Sequence, residues 1–531
     1  MRPASLLLPA LVLGKLALHL FTLTGYGPHR DEFLYADYGH HLAWGYKEGP
    51  PLLGWLAGLS QWAAPASIGA LRLWPALFGA ATVWLTGRAV QALGGGWFAV
   101  LLAGLAVAVS PVYLVMHHLF MQNCLDVFAW TAYGYGLIRF IQAPEPDRPR
   151  WLLALGAAIG FGLLSKYTTV FYVLALLPAL GLTPLRRWLV RPAFGAAVAL
   201  ALLLVAPNIG WQSTHHWPVV AHMTGLQGGQ LTHIAPLNFL LDQVGMTAPG
   251  FVLWALGLVF VFRPAGRAYR VLGWHFLLLL TLLLLTHAKN YYGVGVYPIL
   301  MALGAVALER WTAGVPAALA TTTARTAGRW AIRLAVVALV PLGVRRVFPA
   351  LVPIWPAPRL AAYVAELTKT PMFAGLVRWE DGELHSLPQD VADMFGWPEY
   401  APLVARAMQK LPPAERASVL LVGDNYGPTG ACHWFNRAHH LGLPVCHTTN
   451  GSYSLWWPEP LSEPAALFYL MEDDEAPDVV PWFRSAEVVG TIRHPYARSR
   501  GGQVWLLRGP KPGFGAWARK QIAAARDGFE G

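Results

Sequence analysis

His29-Arg30-Asp31-Glu32-Phe33-Leu34-Tyr35, running on through Gly39 to Glu48-Gly49-Pro50-Pro51-Leu52, follows directly on the apolar run Ala4–Thr24. An adjacent carboxylate pair at the end of such a run is costly to desolvate and marks chemistry more often than packing. The chain around it is short of charge. Of 531 residues, 55% are hydrophobic and 13% charged, with a mean hydropathy of +0.42. A soluble domain of average composition carries roughly 25% charged residues, so about half the expected charge is missing. The composition is that of a polytopic α-helical membrane protein.

A helix needs roughly 20 apolar residues to cross the hydrocarbon core. Runs near 4–24, 67–87, 97–116, 122–141, 151–165, 168–183, 193–208, 247–262, 271–287, 291–308 and 330–348 predict about 11 transmembrane helices. Of these, 151–165 and 168–183 are short and are separated only by Ser165-Lys166-Tyr167. The first run is too long for the core of a signal peptide and lacks a small-residue cleavage site, so it is expected to persist as a helix.

With a cytoplasmic N-terminus, the inward loops carry Arg88, then Arg139, Arg148 and Arg150, then Arg186, Arg187 and Arg191, then Arg263, Arg267 and Arg270, then Arg310, Arg325 and Arg329. The outward loops hold only Arg30, Lys47, Lys166 and Lys289 before the last span. That segregation follows the positive-inside rule. It explains the net charge of +11 without a basic patch, so nucleic acid is not an expected partner. An odd number of spans leaves the C-terminal part outside, and the expected location is a bacterial inner membrane.

Residues 1–349 are therefore read as the membrane domain, with the first outward loop at 25–65, and 350–531 as an extracytoplasmic soluble α/β domain. Pro349, Pro353, Pro356 and Pro358 punctuate the boundary, and charge rises in Glu380-Asp381-Gly382-Glu383 and Glu472-Asp473-Asp474-Glu475. Val419–Val422, Leu467–Leu470 and Val504–Leu507 read as buried strands, and Thr429–Leu441 as a helix between two of them. Cys124 reads as a small buried hydrophobe. Cys432 and Cys446 fall in the outer domain, where an oxidising compartment leaves two readings open, a disulfide or two free thiols.

The first loop is rich in aromatic residues, with Tyr35, Tyr38, Trp44, Tyr46 and Trp55, and is expected to lie on the membrane as amphipathic helices. Asp31 and Glu32 are its first carboxylates, Tyr35 and Gly39 follow at helical spacing, and Glu48 precedes the Pro-Pro turn. A further carboxylate, Asp126, sits inside an apolar span after Gln122-Asn123, where an idle charge is expensive; a buried hydrogen bond for helix packing is the bland alternative. His215, His216, His222 and His233 crowd the outward loop 209–246 and read as solvated side chains. No CxxC or HExxH arrangement is present, so a structural zinc site of the usual kind is not expected.

His29 to Tyr35, Gly39, Leu42, Gly45-Tyr46 and Pro50-Pro51-Leu52 resemble the first-loop signature of glycosyltransferase family 39, the family of protein O-mannosyltransferases and lipid A aminoarabinose transferases. In order along the chain, Phe120-Met121-Gln122-Asn123-Cys124-Leu125-Asp126, Gly162-Leu163-Leu164-Ser165-Lys166-Tyr167, His287-Ala288-Lys289-Asn290-Tyr291-Tyr292 and Tyr297-Pro298 are similar to further family segments. Asp424-Asn425-Tyr426-Gly427, Leu443-Pro444-Val445, Asn450 and Trp456 extend the likeness into the outer domain. Each motif is weak alone; their order and loop positions together are specific.

The resemblance implies a GT-C helix bundle with its active site on the outer side. The implied reaction takes a sugar from a polyprenyl-phosphate carrier to a lipid, glycan or protein acceptor, with inversion. Asp31 stands at the position of the catalytic base, which takes the acceptor's proton. Glu32 is expected to orient the acceptor or to support Asp31. A lipid phosphate leaves as an anion and needs cationic and hydroxyl donors. Lys289, Tyr291 and Tyr292 are the candidates, with Arg30 and Lys166 behind them, and Tyr35, Glu48 and Asp126 complete the expected substrate-binding set. Lys289, Tyr291 and Tyr292 also have a plain reading as interface anchors.

The residues call for no definite cofactor, and Glu48 with a loop histidine leaves room for a divalent metal ion. Gly49 stands where the family usually has Lys or His, which weakens phosphate or metal contact from that position. A transporter or flippase is the alternative class, but the chain shows no internal repeat of spans. A non-catalytic scaffold leaves the carboxylate loop unexplained.

Overall fold

The computed structural model describes residues 4–228, 236–313, 322–461 and 463–528. It divides into two compact units. One comprises 1–23, 72–209 and 229–352; the other comprises 24–71, 210–228 and 353–531. Residues 24–71 thus belong to the same unit as the C-terminal part, although about 280 residues of sequence lie between them.

The first unit is helical. Among the described residues, Ile68–Ala92, Pro192–Thr214, Pro264–Leu285 and Asn290–Ala313 are long and apolar enough to cross a membrane. A fifth span results if Pro236–Thr247 and Phe251–Phe262, bent by 108°, are taken together. The run expected at 247–262 is therefore not one straight helix. Pro249 has no N–H for a helical ladder and breaks it there. The other apolar runs also fold as helices, at Ala4–Phe21, Gln122–Gln142, Arg148–Ser165, Thr169–Gly181 and Thr322–Val344, but the run 97–116 is broken at Ser110, before Pro111, into Trp97–Val109 and Pro111–Met116. The break at Ser165-Lys166-Tyr167 is real. Their shared core includes Trp130, Tyr133, Tyr172 and Tyr297, all almost fully buried.

The second unit carries the sheet. Its strands are β1 (Val419–Gly423), β2 (Cys446–His447), β3 (Ala466–Leu470), β4 (Phe483–Thr491) and β5 (Gln503–Pro510), in the order β2-β1-β3-β5-β4. β1 pairs in parallel with β2 and β3, and β5 runs antiparallel to β3 and β4. The three expected strands form the centre of this sheet. β4 escapes sequence reading because most of its side chains are exposed, so it presents no apolar run. The expected helix is Tyr426–His439. Cys432 on it and Cys446 on β2 are buried free thiols, hydrogen-bonded to one another.

Two helices form in the first loop, α1 (Arg30–Tyr38) and α2 (Leu52–Ala63). Tyr426–His439 is α3. The sequence expectation that this loop lies on a membrane surface fails for α1, whose aromatic side chains find a protein partner instead. Phe33 makes edge contacts with Trp397, Trp434 and Phe435, and Leu34, Tyr38 and Tyr46 pack with Tyr453. On α2, Leu59 and Trp62 remain exposed, as an interfacial helix requires.

Two glycines let α3 approach α1. A Cβ on Gly430 would stand 2.6 Å from Phe33 Cβ, and one on Gly427 would stand 2.8 Å from a Glu472 carboxylate oxygen and 3.0 Å from Arg30 Nε. Gly430→Ala is expected to force the helices apart at a cost of about 1–3 kcal/mol. A thermal unfolding curve of the purified protein would show it as a lower midpoint, with faster proteolysis in 25–65; a midpoint equal to wild type would contradict the close approach.

Candidate active site

α1 begins on a capping box. His29 Nδ1 accepts the Asp31 N–H at 3.1 Å, and the Glu32 carboxylate accepts the His29 N–H at 2.8 Å. This reciprocal pair satisfies two amides that a helix start otherwise leaves unpaired. Glu32 is fully buried. The cap separates the adjacent carboxylates: Glu32 turns inward to the backbone, and Asp31 stays half-exposed.

Asp31 accepts a hydrogen bond from the Tyr426 hydroxyl at 2.8 Å. Its second oxygen accepts none among the described residues. Arg30 stacks over the Tyr426 ring at 4.4 Å and donates to its hydroxyl at 3.2 Å. The same guanidinium is paired with Glu472, at 2.8 and 2.9 Å, so Arg30 is spent on the protein rather than left for a phosphate.

Glu472 also accepts from the Asn425 amide at 2.9 Å and gives its own N–H to Asp424 at 2.9 Å. These residues follow the carboxyl ends of β1 and β3. β1 connects through α3 to β2 on one side, and β3 lies on the other, so the gap between β1 and β3 is a topological switch point, the usual place for a ligand crevice in such sheets. Here Arg30 fills it. Burial and the adjacent Glu472 push the Asp424 carboxyl up to about 7.

At the other end of α1, Asp37 is 2% exposed. It accepts from His433 at 2.7 Å, Arg437 at 2.8 Å and the Tyr453 hydroxyl at 2.7 Å. Burial pushes the carboxyl up, but His433 and Arg437 override this and hold it well below the usual carboxylate range. Burial likewise opposes the His433 imidazolium, and Asp37 reverses that and raises it.

Glu48 is a second anchor, accepting from the Tyr38 hydroxyl, the Ser452 N–H at 2.7 Å and the Ser452 hydroxyl. Its oxygens are thus engaged by neutral protein donors, and among the described residues no three His, Cys, Asp or Glu side chains group as a metal site requires. His215 stacks on Trp211, and His233 lies outside the described residues. Tyr35, half-buried, meets Tyr38 edge-on at 5.6 Å.

In the first unit, Asp126 is buried and accepts from the Thr168 hydroxyl at 2.8 Å. Lys166 donates to Asn123 and lies over the rings of Tyr291 and Tyr292 at 5.2 and 5.0 Å. It is close enough to Asp126 and Lys289 to feel both charges. Asp126, Lys166, Lys289, Tyr291 and Tyr292 therefore come together from three separate stretches of sequence, with Lys166 at the centre.

Residues 48–211 match the model of the dolichyl-phosphate-mannose-protein mannosyltransferase family. The chain is similar to lipid A galacturonosyltransferase RgtD of Rhizobium johnstonii, 27% identical over 241 residues. It shares its fold with ArnT from Cupriavidus metallidurans. The crystal structure bound to undecaprenyl phosphate superposes with a TM-score of 0.60 at 18% identity, covering 95% of this chain and 99% of that one. The apo structure gives 0.58 at 19%, covering 96% and 99%.

The chain thus carries a segment similar to that family and has the ArnT fold. The match to RgtD covers 43% of this chain and spans about half the length of that curated relative, 48%. Two features of the sites were weak or absent in the sequence reading. Lys166 stood behind Lys289 because a lysine in a short loop is commonplace, although the Gly162 to Tyr167 segment already pointed to it. Asp37 carried no local signal, since its three partners lie in the C-terminal part.

The pairing at Asp37 sets a pH window. A raised His433 stabilises fully below its unfolded value of about 6.5 and loses that contribution as pH rises through its folded value; a depressed Asp37 stabilises above its unfolded value of about 3.9 and loses it as pH falls. The contribution of the tie to thermal stability is expected to be greatest between about pH 4 and 6.5, and scanning fluorimetry of His433→Gln against wild type isolates it. Asp37→Asn strands the imidazolium and guanidinium and is expected to cost about 3–5 kcal/mol; a melting midpoint unchanged at pH 6 would contradict the tie.

Proposed function

We propose that this protein is an integral-membrane glycosyltransferase that moves a sugar from a polyprenyl-phosphate carrier to an extracytoplasmic acceptor, with inversion. The family match supports the reaction class. The observation that carries the assignment is Asp31, a half-exposed carboxylate with one oxygen held by Tyr426 and the other left for an incoming group. In the proposed step the acceptor hydroxyl attacks the anomeric carbon as its proton passes to Asp31. The bond from that carbon to the phosphate oxygen breaks, and its electron pair leaves on the lipid phosphate.

Lys166, Lys289, Tyr291 and Tyr292 would receive the charge of that phosphate, and Asp126 would keep Lys166 in place. Glu32, Arg30 and Glu48 would act through the protein, as cap and anchors, rather than by touching substrate. The ArnT structure's undecaprenyl phosphate supports a carrier of that class, and the curated relative's lipid A acceptor favours an envelope lipid over a glycan or a protein. About 11 spans, an inner-membrane location, an N-terminus in the cytoplasm and 350–531 outside complete the proposal. The arginine segregation along the sequence supports that orientation.

Comparing envelope lipids and glycans by mass spectrometry, with and without the gene, should reveal a product lighter by one sugar in the deletion. Complementation with Asp31→Asn should lower that product by about 10²–10⁴-fold at equal protein level. A product that survives Asp31→Asn undiminished would remove Asp31 as base. An unmodified envelope with the lipid-linked sugar retained on the inner leaflet would favour a flippase instead.

A further inference from the structure

Asp31 alone does not determine its own position. It sits in the first turn of a nine-residue helix whose start is capped by His29 and Glu32, and its contact beyond that helix comes from the C-terminal part of the chain, 395 residues on. That contact, Tyr426, opens α3 directly after β1 and the Asp424-Asn425 turn. Its own ring is clamped beneath the Arg30 guanidinium, and that guanidinium is held in turn by Glu472 after β3. Gly427 removes the methyl that would intrude on the Arg30–Glu472 pair. The switch-point crevice of the sheet is thus built around one phenol pointed at one carboxylate.

We propose that Tyr426 is a positioning residue for the transfer reaction: its hydroxyl holds one Asp31 oxygen, so that the other faces the acceptor as an ionised base. This rests on the reading of Asp31 as base. The C-terminal part thereby completes the active site rather than only decorating it. A hydrogen bond to the charged form of a carboxylate favours that form. Losing it therefore misdirects Asp31. The charged and titratable groups acting on Asp31 are Arg30 on its own helix, Asp390 from the segment before Trp397 and Tyr426 of α3; His29 caps its N–H, and Glu472 acts through Arg30 and Tyr426. All of these except Tyr426 are unchanged in the test.

The test uses full-length protein in proteoliposomes, with the organism's own envelope lipid extract supplying donor and acceptor, and the product ion found by the deletion comparison as readout. Tyr426→Phe should lower the initial rate about tenfold, the worth of one well-placed hydrogen bond. It should also move the acidic limb of the pH–rate profile upward by roughly 0.5–1 pH unit. 3-Fluorotyrosine at position 426, a stronger donor of nearly the same shape, should move that limb downward, and it serves also if Tyr426→Phe does not fold. A wild-type rate and limb in Tyr426→Phe, or a slower rate with the limb unmoved in both variants, would overturn the positioning role. Full activity in Asp31→Asn would instead overturn the base on which it rests, so the two failures are distinguishable.

Discussion

Everything at the candidate site depends on one buried carboxylate having partners. Asp37 is sealed from water, and an ionised carboxylate there is tolerable only when it is paired and hydrogen-bonded. His433, Arg437 and Tyr453 supply that pairing, and all three come from the C-terminal part of the chain. The tie therefore fixes the second half of α1 to α3 and its neighbours. Helix geometry then carries the constraint back along α1 to Asp31, about 1.7 turns away.

Around this electrostatic tie the apolar contacts agree in direction. Phe33 enters a ring of aromatic side chains, Tyr38 and Tyr46 stack at 3.6 Å, and Gly430 lets the backbone come near. Lys47 adds a cation at the end of the last helix, donating to the Ala525 and Gly528 carbonyls, where the helix dipole favours it. A loop that composition would lay on a membrane is in large part the core of a folded unit. The crevice at the carboxyl ends of β1 and β3, open to a ligand in many sheets of this kind, is filled by Arg30. The second unit therefore offers a shaped seat for the loop's own charges.

Much of the fold was legible in the chain. The apolar runs became helices because hydrocarbon demands both length and a satisfied backbone, and the three apolar strand segments became the sheet centre. The bend at Pro249 and the exposed strand β4 were not legible. One follows from a single missing N–H; the other lacks the apolar alternation that reveals a half-buried strand. At the site, the sequence pointed to Asp31, Glu48, Asp126 and the Lys289 to Tyr292 segment. It could not say that Glu32 would turn inward to cap its own helix, since a capping box differs from a catalytic pair only by side-chain direction.

By itself the sequence determined the class of molecule, the approximate position of its helices and strands, and the family it resembles, because hydrophobic length and motif order are local properties. Only tertiary structure decided which carboxylate is free and which are engaged. Asp31 meets Tyr426, Arg30 meets Glu472 and Asp37 meets His433 across nearly four hundred residues or more. No local pattern encodes such pairings; they exist because burying one charge forces the fold to bring another to it.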